Sequence, residues 1–186
     1  MLVAFLEEKS AAALLQGLLQ PILPPHCQLK CITFEGRSDL EKNLEKKLRG
    51  WLTPNTTFLV MRDRDSEDCR AVKKRLVDMC RRAGRPDALV RIACGELESF
   101  YLGDLEAVSK AFGCPVQSKK SAKFRDPDRL NNAAEELIRL TGGAYQKVSG
   151  SRAIAQFLKT DGSNCSHSFN VLIEGVKRLV AATPAN

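Results

Sequence analysis

Several features that would assign a function directly are absent from this sequence. No apolar run approaches the ~20 residues of a membrane-spanning helix, and the apolar start, residues 1–6, is too short for a signal peptide. Neither a G-x-x-x-x-G-K-S/T loop nor a G-x-G-x-x-G segment is present. The backbone cradles by which ATPases and dinucleotide-binding enzymes hold phosphates are therefore not expected.

Soft metal ligands are also few. The chain has two histidines, and its seven cysteines include no C-x-x-C pair, so a structural zinc site is not expected. The odd number of cysteines and their scattered positions favour reduced thiols over a disulfide framework. We therefore predict a cytoplasmic protein.

What the sequence does have is an excess of positive charge. Its 186 residues include 29 lysines and arginines against 22 acidic residues, a formal net charge of +7. Such an excess makes a polyanionic partner such as nucleic acid plausible. One segment, residues 115–125, is basic without a single acidic residue. We predict that its basic side chains contact phosphates: Lys119, Lys120, Lys123 and Arg125.

The hydrophobic pattern predicts an α/β fold. Apolar runs typical of strands occur at residues 2–6, 29–34, 56–61 and 88–93, and they alternate with segments whose apolar residues recur at helical spacing. This alternation predicts a parallel sheet of about four strands flanked by helices. The run at 56–61 lacks polar alternation and is expected near the centre of the sheet.

Beyond the fourth strand the signals are helical. We predict that residues 1–114 form the α/β core and that residues 115–186 form a basic, helical extension packed on the same domain. Residues with good capping side chains mark the expected helix starts: Ser10, Ser38 with Glu41 as a capping box, Ser66, Asp126, Ser151 and Ser168.

Acidic residues follow three of the predicted strands. They are Glu7 and Glu8 after the first, Asp63 and Asp65 after the third, and Glu96 and Glu98 just beyond the fourth. Because the carboxyl ends of parallel strands meet at one edge of a sheet, these side chains are expected to converge there. Asp63 and Asp65 flank Arg64 in what reads as an extended turn, which would point both carboxylates the same way.

Carboxylates held together repel unless a proton or a cation relieves them. Mg²⁺ prefers one or two carboxylates, with water and substrate phosphates completing its shell, so we predict a Mg²⁺ or Mn²⁺ site at this edge. Glu7 is favoured over Glu8 because it lies nearer the strand end. The competing interpretation is that the acids only stabilise helix starts, where the macrodipole favours negative charge.

Two families resemble this chain. A hydrophobic strand followed by a glutamate, a βα step and a hydrophobic strand ending in D-x-D is similar to the TOPRIM domain. Over nearly its whole length the chain also resembles the bacterial domain of unknown function 4276 family. The segments that carry the second resemblance are FLEEKSAAALLQGLL, GRSDLEKNL, FLVMRDRDSEDC, RIACGELESFYLGDL, KFRDPDRLNNAAEEL and YQKVSGSRAIA.

The TOPRIM resemblance implies roles for individual residues. Glu7 would be the general acid or base, and Asp63 and Asp65 would bind magnesium. In nucleases of the overcoming-lysogenization-defect type a further acidic residue and a lysine complete the site, and these would be Glu98 or Glu96, and Lys147. No glycine closely follows Glu7, unlike in topoisomerases, so strand passage is not expected.

The first hypothesis is therefore a magnesium-dependent nuclease that hydrolyses phosphodiester bonds in DNA or RNA. Families of this kind are often encoded beside AAA-type or ABC-type ATPases in phage-defence loci, so the resemblance also implies an ATPase partner. The alternative is a non-catalytic protein that keeps the fold and binds nucleic acid or an ATPase. A phosphotransferase of haloacid-dehalogenase type is disfavoured because D-x-D follows the third strand and not the first.

Overall fold

The computed structural model describes residues 1–115 and 121–182. Four strands are present in this part of the chain: β1 (Leu2–Leu6), β2 (Leu29–Thr33), β3 (Thr57–Asp63) and β4 (Leu89–Ala93). Its helices are α1 (Lys9–Leu19), α2 (Arg37–Arg49), α3 (Cys69–Arg82), α4 (Glu98–Leu102), α5 (Leu105–Phe112), α6 (Ala133–Leu140), α7 (Lys147–Ala155) and α8 (His167–Ala181). Two short 3-10 turns, Ala122–Arg125 and Pro127–Arg129, precede α6.

The four strands form one parallel sheet in the order β2-β1-β3-β4. The predicted α/β class is confirmed, and the continuous apolar run lies in β3, an interior strand. The chain leaves β1 towards β2 on one side and later returns to place β3 on the other. Such a reversal opens a crevice at the carboxyl ends of the two central strands.

Alternating residues of the strands serve two separate hydrophobic layers. In β1, Leu2, Ala4 and Leu6 face the cluster formed with α1, α4, α5, α7 and α8, whereas Val3 and Phe5 face α2 and α3. All five residues of β1 are buried, as expected for a strand covered by helices on both faces.

The carboxyl-terminal helices pack on the same side of the sheet as α1. Helix α7 lies against α1, and α8 lies against β4. The approach of α7 is close at Gly17, where an added Cβ would be 2.8 Å from the Cβ of Ala155. A larger residue at Gly17 would therefore have to separate the two helices.

Several helices begin at other residues than predicted. Helix α3 starts at Cys69 and not Ser66, because Asp65 adopts a left-handed conformation (φ 55°) and Asp68 supplies the cap. The Asp68 carboxylate accepts hydrogen bonds from the backbone N–H groups of Arg70 (3.1 Å) and Ala71 (2.9 Å).

The predicted capping box of α2 is also wrong. The helix begins after Gly36 without a side-chain cap. Glu41 does not reach back to the helix start, because its carboxylate binds Arg62 and Arg75 instead. Helix α1 begins at Lys9, one residue before the predicted cap Ser10.

Three later helix starts are corrected as well. The helix predicted from Asp126 is interrupted before α6, because the carboxylate of Asp128 turns away to accept hydrogen bonds from Ser166 Oγ (2.6 Å) and the N–H of Ser168 (2.8 Å). Ser166, and not Ser168, caps α8. Helix α7 begins at Lys147, and Ser151 lies inside it. Within the described residues, none of these helices is both long and apolar enough to cross a membrane.

Candidate active site at the carboxyl edge of the sheet

Glu7 and Asp63 meet at the ends of the two central strands. Glu7 directly follows β1, Asp63 is the last residue of β3, and Leu6 is paired in register with Met61. Oε2 of Glu7 accepts a hydrogen bond from the backbone N–H of Asp63 at 3.1 Å. The topology therefore brings these two residues, 56 positions apart in sequence, into direct contact.

Asp63 is the most strongly perturbed carboxyl of the site. Its Oδ2 accepts a hydrogen bond from the N–H of Leu97 at 3.1 Å. Burial raises its pKa well above the usual range, and the negative charges of Glu98, Glu7 and Glu8 raise it further. A proton or a cation would relieve this repulsion.

Glu98 approaches Asp63 from α4. It is buried, and its Oε1 accepts a hydrogen bond from the hydroxyl of Tyr145 at 2.8 Å. Burial raises the pKa of Glu98 more than this hydrogen bond lowers it. Burial also raises the pKa of Tyr145, so its hydroxyl stays protonated and remains a donor.

Glu96 is not brought to the same place. Its Oε2 accepts a hydrogen bond from the N–H of Ala134 at 2.6 Å, which caps the first turn of α6. Since both glutamates follow β4 closely, only the turn between them decides which one faces the site. The geometry selects Glu98.

Lys147 reaches the cluster because α7 packs on α1. Its Nζ lies 3.4 Å from Oε2 of Glu8. Burial acts to lower the pKa of Lys147, but the charges of Glu8, Glu98 and Asp63 outweigh burial and raise it. Lys147 therefore stays protonated and positively charged among these carboxylates. Glu8, over which Glu7 was favoured for the site, is its ion-pair partner.

Asp65 has different neighbours from Asp63. Asp65 adopts a left-handed conformation, and its Oδ2 lies 3.2 Å from Nη2 of Arg62 and 3.6 Å from Nη1 of Arg37, whereas Asp63 accepts from the N–H of Leu97. The expectation that the two aspartates point the same way is therefore wrong. Asp65 still lies near Glu7. Burial is the largest cause of the raised pKa of Glu7, and the negative charge of Asp65 raises that pKa further.

Arg62 binds the carboxylates next to Asp63 and Glu7. The sequence analysis did not identify it. Its guanidinium is wholly buried and donates to Oε1 of Glu41 (2.6 Å) and to Oε1 of Glu67 (3.0 Å). It also donates to the backbone carbonyl of Asp63 at 2.9 Å, and it lies 3.7 Å from Oε2 of Glu7. An arginine that directly follows a buried apolar run must have several hydrogen-bond acceptors, so its position in the sequence could have predicted a buried ion-pair network.

A hard cation fits the chemistry of the donor set. In residues 1–115 and 121–182 no group of three or more His, Cys, Asp or Glu side chains is arranged as a metal centre. Asp63 and Glu98 nevertheless supply two neighbouring carboxylates of raised pKa. Mg²⁺ needs only one or two carboxylates when water and phosphate oxygens complete its shell.

The predicted basic loop is only partly described. Lys119 and Lys120 lie outside the described residues. Lys123 is ion-paired with Glu136 (Nζ–Oε2 2.6 Å), a partner in α6 that the local sequence did not reveal. Arg125 is exposed. Of these two residues, only Arg125 is both exposed and without a described ion-pair partner, as phosphate contact would require.

The raised pKa of Asp63 predicts a particular pH dependence of stability. A carboxyl whose pKa is higher in the folded than in the unfolded chain binds its proton more tightly when folded, so its contribution to stability falls as the pH rises above about 4. We expect Asp63→Asn to gain stability relative to the wild type as the pH is raised from 4 to neutrality. Urea unfolding of both proteins across this range measures the difference.

The difference between the two unfolding free energies cancels the contribution of groups whose pKa is lowered by folding, which stabilise the protein as the pH rises. Glu106, for example, has its pKa lowered to about 2 by hydrogen bonds from Lys159 and Lys110, and it contributes equally to both proteins. A difference that is flat with pH, or of opposite sign, contradicts the charge crowding at Asp63.

Comparison with known families adds one finding. The model of the family described as Domain of unknown function (DUF4276) matches residues 6–177. Glu7, Asp63, Glu98 and Lys147 all lie within the matched range. No curated protein and no solved structure matches the chain.

Proposed function

The chain belongs to the DUF4276 family, and we propose that it is a magnesium-dependent nuclease that hydrolyses phosphodiester bonds in DNA or RNA. The observation that supports this proposal is the convergence of three carboxyls of raised pKa, Glu7, Asp63 and Glu98, at the switch point of a parallel sheet. Perturbed titratable groups gathered at such a crevice are typical of active sites.

The roles follow from the surroundings of each residue. Asp63 and Glu98 would hold the cation, which when bound supplies positive charge against the phosphate and lowers the pKa of a bound water. Glu7 would transfer the proton, because its raised pKa brings it closer to the working pH than an ordinary glutamate. Lys147 would stabilise negative charge on the phosphate or the leaving oxygen, exchanging Glu8 for the substrate.

The net positive charge of the chain is concentrated on two helices. Helices α2 and α3 carry eleven basic and four acidic residues, an excess of seven that equals the net charge of the whole chain. We call the outer surface of these two helices the basic layer. Its residues start near the carboxyl edge, at Arg37 and Arg70, and continue away from it along both helices.

The two glutamates of the basic layer are paired within it. Glu41 binds Arg75 (2.9 Å), and Glu45 binds Arg82 (2.6 Å), so both glutamates close the seam between the helices. Exposed lysines flank the seam and form no ion pair with the described part of the chain: Lys42, Lys46, Lys73 and Lys74. We propose that the basic layer contacts the phosphates of the substrate, and that the 115–125 segment is not the only surface that does so.

Charge reversal on the basic layer tests this placement. We expect the double substitution Lys73→Glu and Lys74→Glu to weaken binding to a duplex at least tenfold and to reduce the salt slope by about 2, because two phosphate contacts are lost. Fluorescence anisotropy in EDTA measures binding without cleavage. The matched control, Arg152→Glu with Lys177→Glu, changes the charge equally on exposed positions of α7 and α8. Equal losses in both variants would show that only net charge matters.

The function itself is tested by incubating the full chain with plasmid, linear duplex and single-stranded RNA in Mg²⁺, in Mn²⁺ and in EDTA. Cleavage that requires the metal supports the nuclease. Binding through the basic layer with no cleavage in either metal supports the alternative, a non-catalytic partner of nucleic acid or of an ATPase. An action in the cytoplasm, a role in phage defence and the TOPRIM relationship are parts of the same proposal.

A further inference from the structure

Two cysteines face each other beside the candidate active site. The Sγ atoms of Cys69 and Cys94 are 2.6 Å apart. This separation is closer than an ordinary contact between two thiols and somewhat longer than a disulfide bond of about 2.05 Å. Cys69 is the first residue of α3, and Cys94 directly follows β4, so 25 positions separate them in sequence.

The pair is distinct from the other cysteines. All seven lie in the described part of the chain, and no other two of them are in sulfur–sulfur contact there. Cys69 and Cys94 are both half-buried, whereas Cys80 is buried and Cys165 is exposed.

The backbone around both thiols is held by other interactions. The N–H of Arg64 donates to the carbonyl of Ala93 at 2.9 Å, which ties the segment before α3 to the end of β4. The N–H of Cys94 donates to Oγ of Ser168 at 3.3 Å. Because the fold already fixes both segments, joining the sulfurs would cost little further chain entropy in the folded state.

We propose that Cys69 and Cys94 form a redox modification site that closes to an intramolecular disulfide when a peroxide or a low-molecular-weight disulfide is available. With a disulfide such as oxidised glutathione, two thiol–disulfide exchanges join the protein sulfurs and release two molecules of glutathione. With hydrogen peroxide, one thiol is oxidised to a sulfenic acid with loss of one water, and the second thiol displaces a second water to form the S–S bond.

The environment of Cys94 disfavours its thiolate form. Burial raises its pKa to about 12, with the adjacent Cys69 and the charge of Asp128 acting in the same direction and Arg64 opposing them. A thiol with such a pKa carries little thiolate at neutral pH, and the thiolate is the reactive form. In a reducing compartment we expect the pair to stay a dithiol, and we expect the disulfide to form under sustained oxidation.

Closure would restrain the segment that carries Asp65. Residues 64–68 run between the end of β3 and the start of α3, and the bond would fix their far end to β4. We expect slower amide hydrogen exchange in this segment and a melting temperature about 5–10 °C higher, because the bond closes a loop of about 25 residues in the unfolded chain.

The test is peptide mapping of the full chain after treatment with oxidised glutathione or hydrogen peroxide. Trypsin releases Cys69 in residues 65–70 and Cys94 in residues 92–110, so the cross-link joins two distinct peptides. We expect a linked species lighter by two hydrogens than the sum of the two peptides, and its loss on reduction. The variants Cys69→Ser and Cys94→Ser should lack it and also lack the rise in melting temperature, whereas Cys165→Ser should keep both.

Two results would overturn the proposal. One is the absence of the cross-link under conditions in which Cys165 is fully glutathionylated or oxidised. The other is a mixture of disulfides in which Cys69 pairs with Cys94 no more often than with other cysteines. Thermal unfolding of the reduced serine variants shows whether they are folded, and the wild-type peptide map alone decides the matter if they are not.

Discussion

The substitution Asp63→Asn is expected to lower metal-dependent phosphodiester cleavage by about 10²–10³-fold while the chain remains folded. Asparagine keeps the shape and an oxygen that can accept the hydrogen bond from Leu97, but it removes the charge that would bind the cation. A loss of this size corresponds to about 3–4 kcal/mol of transition-state stabilisation. Initial rates with saturating metal, together with circular dichroism, measure activity and fold separately.

A matched control is available at the opposite edge of the sheet. Asp87 is exposed and precedes β4, so Asp87→Asn makes the same chemical change far from the carboxyl ends of the strands. Its cleavage rate should equal that of the wild type. Full activity of a folded Asp63→Asn protein would contradict the assignment of Asp63 as a cation ligand and would place the cleavage site elsewhere on the chain.

A comparison of substitutions at Glu98 and Glu96 extends this prediction. Glu98→Gln should reduce cleavage strongly, since Glu98 is the carboxyl whose charge most raises the pKa of Asp63 after burial. Glu96→Gln should change cleavage little, because Glu96 serves the first turn of α6. A reversed order of the two effects would show that the turn after β4 rearranges when the cation binds.

The sequence carried enough information to predict the sheet and the edge at which the candidate site lies. Strand-like and helix-like periodicity depend on local burial, so the four strands and the central place of the 56–61 run could be predicted. The convergence of Glu7 and Asp63 followed from the general rule that parallel strands end at one edge. Neither inference needed knowledge of side-chain contacts.

The remaining features depend on partners distant in sequence. Glu98 could not be separated from Glu96 because both follow β4 and only the packing of α6 and Tyr145 distinguishes them. The left-handed conformation of Asp65 is uncommon for a residue other than glycine, so an extended turn was the natural expectation. The acceptors of Arg62 include Glu41, 21 positions away in α2, where capping was the simpler interpretation.

Arg62 is the residue whose replacement should destabilise the fold most among the charged groups around the site. Its side chain has no exposed area, and it faces the carboxylates of Glu41, Glu67 and Asp65 at 2.6–3.2 Å. Removing one member of a buried ion-pair network leaves its partners uncompensated, which typically costs about 3–5 kcal/mol. Because those partners are partly exposed to water, we expect Arg62→Met to lower the free energy of unfolding by about 2–4 kcal/mol.

Urea denaturation at neutral pH measures this change, with an unchanged m-value showing that the transition is still two-state. Arg81→Met is the matched control, because Arg81 lies exposed on α3 and its ion pair with Asp78 (3.6 Å) is open to solvent. Its free energy of unfolding should stay close to that of the wild type. Arg62→Lys should recover only part of the loss, since an ammonium cannot reproduce the several directed hydrogen bonds of the guanidinium. If Arg62→Met is as stable as Arg81→Met, the carboxylates around Arg62 do not depend on it, and the turn that places Asp63 and Asp65 must be held by other contacts.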